Sequence, residues 1–222
     1  MSPVVSVGLS VVLSYLAGSF PTSIIIGKLF FGRDPRLEGS GNAGGTNSFR
    51  VFGWKAGLAV SLLDVAKGAL AAGLLSRLVP ADVLPPEASM MLCGLAAVAG
   101  HVWTVFAGFR GGKGVATAAG AILVFAPASF GAALLGFALV LLFTGIVSAA
   151  SITAAVVFSA SALIIELSGP APSGWLIGFA CLAAPFIMFT HRSNIGRLAR
   201  GEEKRFDKLA LLGKLFRRRT GK

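Results

Sequence analysis

The sequence predicts an all-α integral membrane protein: a bundle of seven transmembrane helices, N-terminus outside, C-terminus cytoplasmic, with polar glycine-rich cytoplasmic loops. Three observations predict it. Apolar residues make up 55% of the 222 and charged residues only 13%, with a mean hydropathy of +0.81; a soluble domain holds about a quarter charged residues. Stretches without Asp, Glu, Lys or Arg run 2–27, 88–109, 114–165 and 167–190, and a further apolar stretch near 56–77 is interrupted only by Asp64 and Lys67. Each is about long enough for the roughly 20 apolar residues a helix needs to cross hydrocarbon. Finally, the net charge of +11 is segregated: eleven of the twenty Lys and Arg lie within 191–222, and most others flank apolar runs. Nucleic acid would be met by a basic face. This layout is that of membrane-protein loops, so the expected partner is the lipid bilayer and no nucleic acid is expected.

The first helix covers about 4–27 and ends at Lys28 and Arg33, which belong inside and leave the N-terminus outside. It lacks a basic leader and is too long for the apolar part of a cleaved signal peptide, so none is expected. The second ends at Arg77, before an outer loop from Pro80 to Glu87 whose charges are acidic. The third descends to Arg110. The long stretch 114–165 begins inside, after Arg110 and Lys113, and ends at the cation-free loop from Ser168 to Gly174. It must therefore cross an odd number of times. Three short spans fit, with breaks near Pro127 and around Thr144–Ser151. The seventh, 175–190, returns the chain to the inside. A single transmembrane domain over 1–200 is thus followed by a basic tail, 201–222, in which Arg217, Arg218 and Arg219 suit anionic lipid headgroups.

Most of the 29 glycines read as packing residues that let helices approach closely in lipid. Cys93 and Cys181, both inside apolar runs, read as small packing residues rather than a disulfide or metal pair. Asp64 and Lys67 are costly in a span unless paired, and their i, i+3 spacing allows them to pair with each other in a structural role. His101 reads as a satisfied packing histidine.

Three inner segments hold polar residues beyond what a turn requires. The first includes Gly39, Ser40, Gly41, Asn42, Gly44, Gly45, Thr46, Asn47 and Arg50. Glycines let backbone N–H groups converge on an anion. The short polar side chains add hydrogen bonds, and Arg50 adds a planar fork suited to phosphate. The second, Gly108 to Thr117, places Gly111, Gly112, Lys113 and Gly114 just before the fourth helix. A glycine loop opening a helix is a ready phosphate site. It is not a Walker loop, because Ala107 and Gly114 stand where that motif needs Gly and Ser or Thr. The third runs from His191 through Asn194 and Arg197 to Glu203, with His191, Asn194 and Arg197 or Leu198 on one helical face. These loops are rich in phosphate ligands and poor in general bases.

Together the three segments resemble the bacterial acyl-phosphate:glycerol-3-phosphate acyltransferases, the PlsY family, in order and spacing over nearly the whole chain. The matching runs are Gly18-Ser19-Phe20-Pro21, Gly39 to Arg50, Gly100-His101 with Phe106 to Thr117, and His191 to Glu202. One departure is Thr104, where the family usually has Pro. The resemblance implies transfer of a fatty acyl group from acyl phosphate to the 1-hydroxyl of glycerol 3-phosphate, giving lysophosphatidic acid and phosphate, the first step of phospholipid synthesis. It implies an active site facing the cytoplasm at the bacterial inner membrane, and needs neither metal nor cofactor. It also implies roles. Lys113 and the Gly111–Gly114 backbone would cradle the acyl phosphate, while Ser40, Arg50, His191 and Asn194 position both phosphates with Ser148 nearby. Gly39, Gly41, Asn42, Thr46 and Asn47 complete the binding loop. The proton of the attacking hydroxyl would pass to the substrate phosphate, or alternatively to His191. The rival reading, a transporter of a phosphorylated small molecule, would use the same loops but is expected to show paired broken helices.

Overall fold

The computed structural model describes residues 2–213, and every element within them is helical. Ten α-helices follow in order: α1 Pro3–Ser19, α2 Thr22–Phe31, α3 Gly45–Phe52, α4 Trp54–Gly73, α5 Pro86–Val102, α6 Val115–Phe125, α7 Pro127–Thr144, α8 Val147–Ser168, α9 Gly174–Thr190 and α10 Arg192–Ala199. Among the described residues five segments are long and apolar enough to cross a membrane, beginning at Pro3, Trp54, Pro86, Pro127 and Val147; a sixth is added if α9 and α10, bent by 67°, count as one. The expected breaks in the long apolar stretch fall at Ala126–Pro127 and at Gly145–Ile146, between helices. They leave α6 with only 11 residues. Arg217, Arg218 and Arg219 lie outside the described residues.

The chain forms two compact units, Met1–Pro127 and Ala128–Lys222. In the first, α1 packs on α5 and α4 on α6, and glycines bring the backbones into contact. A Cβ on Gly18 would stand 2.0 Å from the Ala97 carbonyl oxygen, and one on Gly100 2.1 Å from that of Tyr15. The second pair is tighter, with Gly68 facing the Thr117 oxygen at 1.8 Å and Gly120 facing that of Val65 at 1.9 Å. Any larger residue forces these helices apart. Cys93 is buried beside the Ser10 hydroxyl, whereas Cys181 lies exposed on α9 rather than in packing; both are free thiols.

The first apolar span is not one helix. Pro21 ends α1 and leaves late carbonyls without intrahelical donors. Two side chains satisfy them. The Thr104 hydroxyl donates to the Ser19 carbonyl, and Lys67 Nζ donates to the Phe20 carbonyl at 3.0 Å. Thr104, the departure from the family pattern, thus caps a broken helix. In the second unit α8 packs on α9, with Phe158 edge-on to Phe179. The chain after α10 stays attached to this unit, since Phe206 donates its N–H to the Gly145 carbonyl at 2.8 Å.

Candidate active site

The first glycine segment is shaped by its own side chains. Asp34 accepts from the Arg36 backbone at 2.9 Å and from its guanidinium at 2.8 Å. The Arg36 hydrogen bond holds the Asp34 carboxyl below its ordinary range, against burial. Asn47 is fully buried, and its amide is committed inward: Nδ2 donates to the carbonyls of Pro35 at 2.7 Å and Glu38 at 3.1 Å, while Oδ1 accepts from the Ser40 N–H at 2.7 Å and its hydroxyl at 3.1 Å. Gly39, at φ +63°, brings its backbone so close that a Cβ would stand 2.3 Å from Asn47 Oδ1. The geometry makes Asn47 the organiser of this loop and Ser40 the exposed residue it holds. Asn42 lies beside Gly44, and Thr46 falls in the first turn of α3.

That helix, α3, is the part of the segment that the sequence reading took for loop. Gly44 opens it without a side-chain cap, and Arg50 sits half-buried in its last turn. Phe49 packs against Gly57 of α4 and Phe52 stacks on Phe31 at 4.6 Å. The apolar pair Phe49 and Phe52, three apart and followed by Gly53, was the available signal.

The second segment returns sharply from α5. Gly111 N–H donates to the Val102 carbonyl and Gly112 N–H to that of His101, each at 3.1 Å. Those two amides are thereby committed to the loop's own fold rather than pointing at a ligand, which corrects the expectation that the whole Gly111–Gly114 backbone is available. Phe109 takes a left-handed conformation at φ 58°, sparsely populated for a bulky residue. Gly114, at φ +81°, opens α6 with no side-chain cap, so the first-turn N–H groups of α6 have no intrahelical acceptor. Lys113 is half-buried just before it.

Within the first unit the two segments meet. Arg36 Nη1 donates to the Ala107 carbonyl at 2.9 Å. An open basin of about 560 Å³ is lined by Asp34, Arg36, Leu37, Gly41, Arg110 and Gly111. A narrow cleft runs from Gly111 and Gly112 past Ala43 to Lys67, His101 and Thr22. Asp64 and Lys67 pair as expected, at 2.9 Å, and Asp64 also accepts the Thr22 hydroxyl. His101 is buried, but it joins this polar cluster instead of merely packing: its Nδ1 lies 3.2 Å from Lys67 Nζ.

The third segment lies in the second unit. His191 closes α9 and starts α10, and its Nδ1 donates to the Ile187 carbonyl at 2.9 Å. With Nδ1 donating, a neutral form of the ring would carry its lone pair on Nε2. Asn194 and Arg197 do share a helical face, and both reach Glu203, each at 2.7 Å. Glu203, which sequence reasoning gave no role, is buried at 8% exposure. Burial pushes its carboxyl up, but the hydrogen bonds of Arg197 and Asn194, the Arg197 charge and a smaller contribution from Ser148 outweigh it and hold it below the usual range. Among the described residues the Ser148 hydroxyl, itself buried, finds no hydrogen-bond partner of ordinary geometry.

A folded-state carboxyl held low stabilises the fold above its unfolded value of 4.5 and loses that contribution as pH falls through the depressed value. A melting series from neutral pH downward past 4.5 should therefore show an acid limb that Glu203→Gln flattens. An unchanged limb in that variant would remove Glu203 from the account.

Long apolar helices whose ends carry glycine-lined polar clefts define an integral membrane protein. The sequence profile of the glycerol-3-phosphate acyltransferase family matches residues 8–201. The glycerol-3-phosphate acyltransferase of Chlorobium phaeobacteroides (strain BS1) is 45% identical over 87% of this chain and 93% of its own length, and that of Chlorobaculum tepidum 44% over 88% and 94%. A crystal structure of PlsY, an integral membrane glycerol 3-phosphate acyltransferase, in its glycerol 3-phosphate form superposes with a TM-score of 0.80 at 36% identity, covering 93% of this chain and 98% of that one. Its lysophosphatidic acid form gives 0.78 at 35%. The chain belongs to the glycerol-3-phosphate acyltransferase family.

Proposed function

We propose that the protein transfers a fatty acyl group from acyl phosphate to the 1-hydroxyl of glycerol 3-phosphate, releasing lysophosphatidic acid and phosphate at the cytoplasmic face of the bacterial inner membrane. The observation that carries this is the likeness to PlsY in both its glycerol 3-phosphate and lysophosphatidic acid forms, joined to the meeting of two glycine segments with Arg36 and Arg110 at one basin. The transporter reading has no comparable support.

In this scheme the hydroxyl oxygen bonds to the acyl carbon, the bond from that carbon to the phosphate oxygen breaks, and phosphate leaves with the hydroxyl proton. The donor is already activated, so positioning and charge stabilisation suffice. Lys113 and the opening turn of α6 take the acyl-phosphate group. Ser40, held by Asn47, and Arg50 orient phosphate, and the family resemblance assigns His191 and Asn194 phosphate contacts of the same kind. His191 Nε2 is the alternative proton acceptor.

The same reading keeps seven crossings with the N-terminus outside. Counting α6 as a crossing requires about 16 Å of helix to serve a hydrocarbon layer of about 30 Å. The loop that opens it must then lie below the headgroups, consistent with Gly112 resting on buried His101. A reporter fusion that places the N-terminus in the cytoplasm would overturn this orientation. The activity itself is tested by phosphate release: purified protein should liberate phosphate from palmitoyl phosphate only when glycerol 3-phosphate is present, with no added metal. Dependence on acyl-CoA, or loss of turnover with chelator, would sink the scheme.

A further inference from the structure

The buried ion pair of α4 has a third member that the scheme leaves unused. Lys67 Nζ lies 2.9 Å from Asp64 Oδ1, 3.0 Å from the Phe20 carbonyl and 3.2 Å from His101 Nδ1. An ammonium carries three hydrogens and accepts nothing. All three are committed, and the one aimed at His101 makes Nδ1 an acceptor, so the ring proton sits on Nε2. Asp64 does not compete for Nδ1, its Oδ1 being 3.7 Å away. The Nε2 edge faces the loops. A Cβ on Gly112 would stand 2.2 Å from Nε2 and 2.7 Å from the Ala43 carbonyl oxygen. The second glycine segment therefore passes against the ring and the first segment at a single point. His101 holds Gly112 a second time through its own carbonyl, at 3.1 Å.

We infer that His101 is a positioning residue for acyl transfer: Asp64 and Lys67 orient its imidazole so that the Nε2 edge sets the register of the two glycine segments on substrate phosphate. This rests on the acyltransferase reading. It assigns the charge pair in the span a task beyond its own neutralisation. The span's ion pair fixes a tautomer, the tautomer fixes a ring edge, and the edge fixes the loop.

The test uses full-length protein in detergent, with palmitoyl phosphate as donor. The side-chain oxygen of His101→Asn takes the place of Nδ1 and accepts from Lys67, but stops short of Gly112. This variant should melt near the wild-type temperature while its KM for glycerol 3-phosphate rises about tenfold or more, because the loop has lost the ring edge it rests on. The rise in melting temperature that added glycerol 3-phosphate gives the wild type should shrink in parallel. His101→Ala should lose both stability and affinity. Gly112→Ala should raise KM on its own, and adding His101→Ala to it should cost little more, because the ring-to-loop contact is already broken.

A wild-type KM and full ligand-induced shift in His101→Asn would overturn the inference. So would equal instability of both His101 variants with KM unmoved, or full additivity with Gly112→Ala. If the wild type itself releases no phosphate with glycerol 3-phosphate, the acyltransferase reading falls instead.

Discussion

Lys113→Ala is expected to lower phosphate release from palmitoyl phosphate by about 10²–10³-fold, the usual cost of removing one preorganised group aimed at developing charge. The leaving group gains negative charge as the acyl carbon is attacked. In the proposed scheme Lys113 meets that charge together with the first N–H groups of α6, which Gly114, in a left-handed conformation, opens immediately beyond. Arg50→Ala should cause a loss of similar size from the last turn of α3, where a guanidinium can grip phosphate in a way Lys does not reproduce. Neither side chain is a fully buried core residue, so both variants should insert and melt like the wild type. Wild-type turnover in both would remove the phosphate-site assignment.

Lys67→Met is expected to destabilise the protein by about 3–5 kcal/mol, because it strands a carboxylate that is 1% exposed inside a helix bundle. It also removes one of the two donors to the Phe20 carbonyl, the other being the Thr22 N–H. Combining Lys67→Met with Asp64→Asn should recover a large part of the loss, since no buried charge then lacks a partner. The melting midpoint, followed by the fluorescence of the three Trp residues, reads this directly. A double variant no better than the single would show that the pair is not the source of the cost.

The spans were legible because their signal is local. Hydrocarbon excludes charge from each run independently, so the uncharged stretches and the helix breaks at Pro127 and after Thr144 could be read from composition alone. The glycine segments were legible from density. What escaped was set by contacts distant in sequence. Asn47 looked like a ligand, yet its amide is spent on Pro35, Glu38 and Ser40. Gly111 and Gly112 looked like free donors, yet the end of α5 takes them. Glu203 gave no signal because its role depends on a turn that brings it back to Asn194 and Arg197. The break at Pro21 went unread, because the uncharged run 2–27 reads as one helix, and its repair comes from Lys67 on α4 and from Thr104 just after α5, both far along the chain. His101 sits between the two cases. Its burial was foreseen, whereas its company was not.

Gly68 and Gly120 face each other's helix so closely that α4 and α6 touch through main chain. Side chains can swing between rotamers, but peptide planes in contact cannot slide past one another without separating the whole seam. α6 is therefore clamped along its short length, and the lysine-bearing turn at its head is held still before any substrate arrives. Ligand binding then spends little of its free energy on ordering that turn. Enlarging either glycine should be felt first as weakened affinity at the helix mouth, a few turns from the substitution itself.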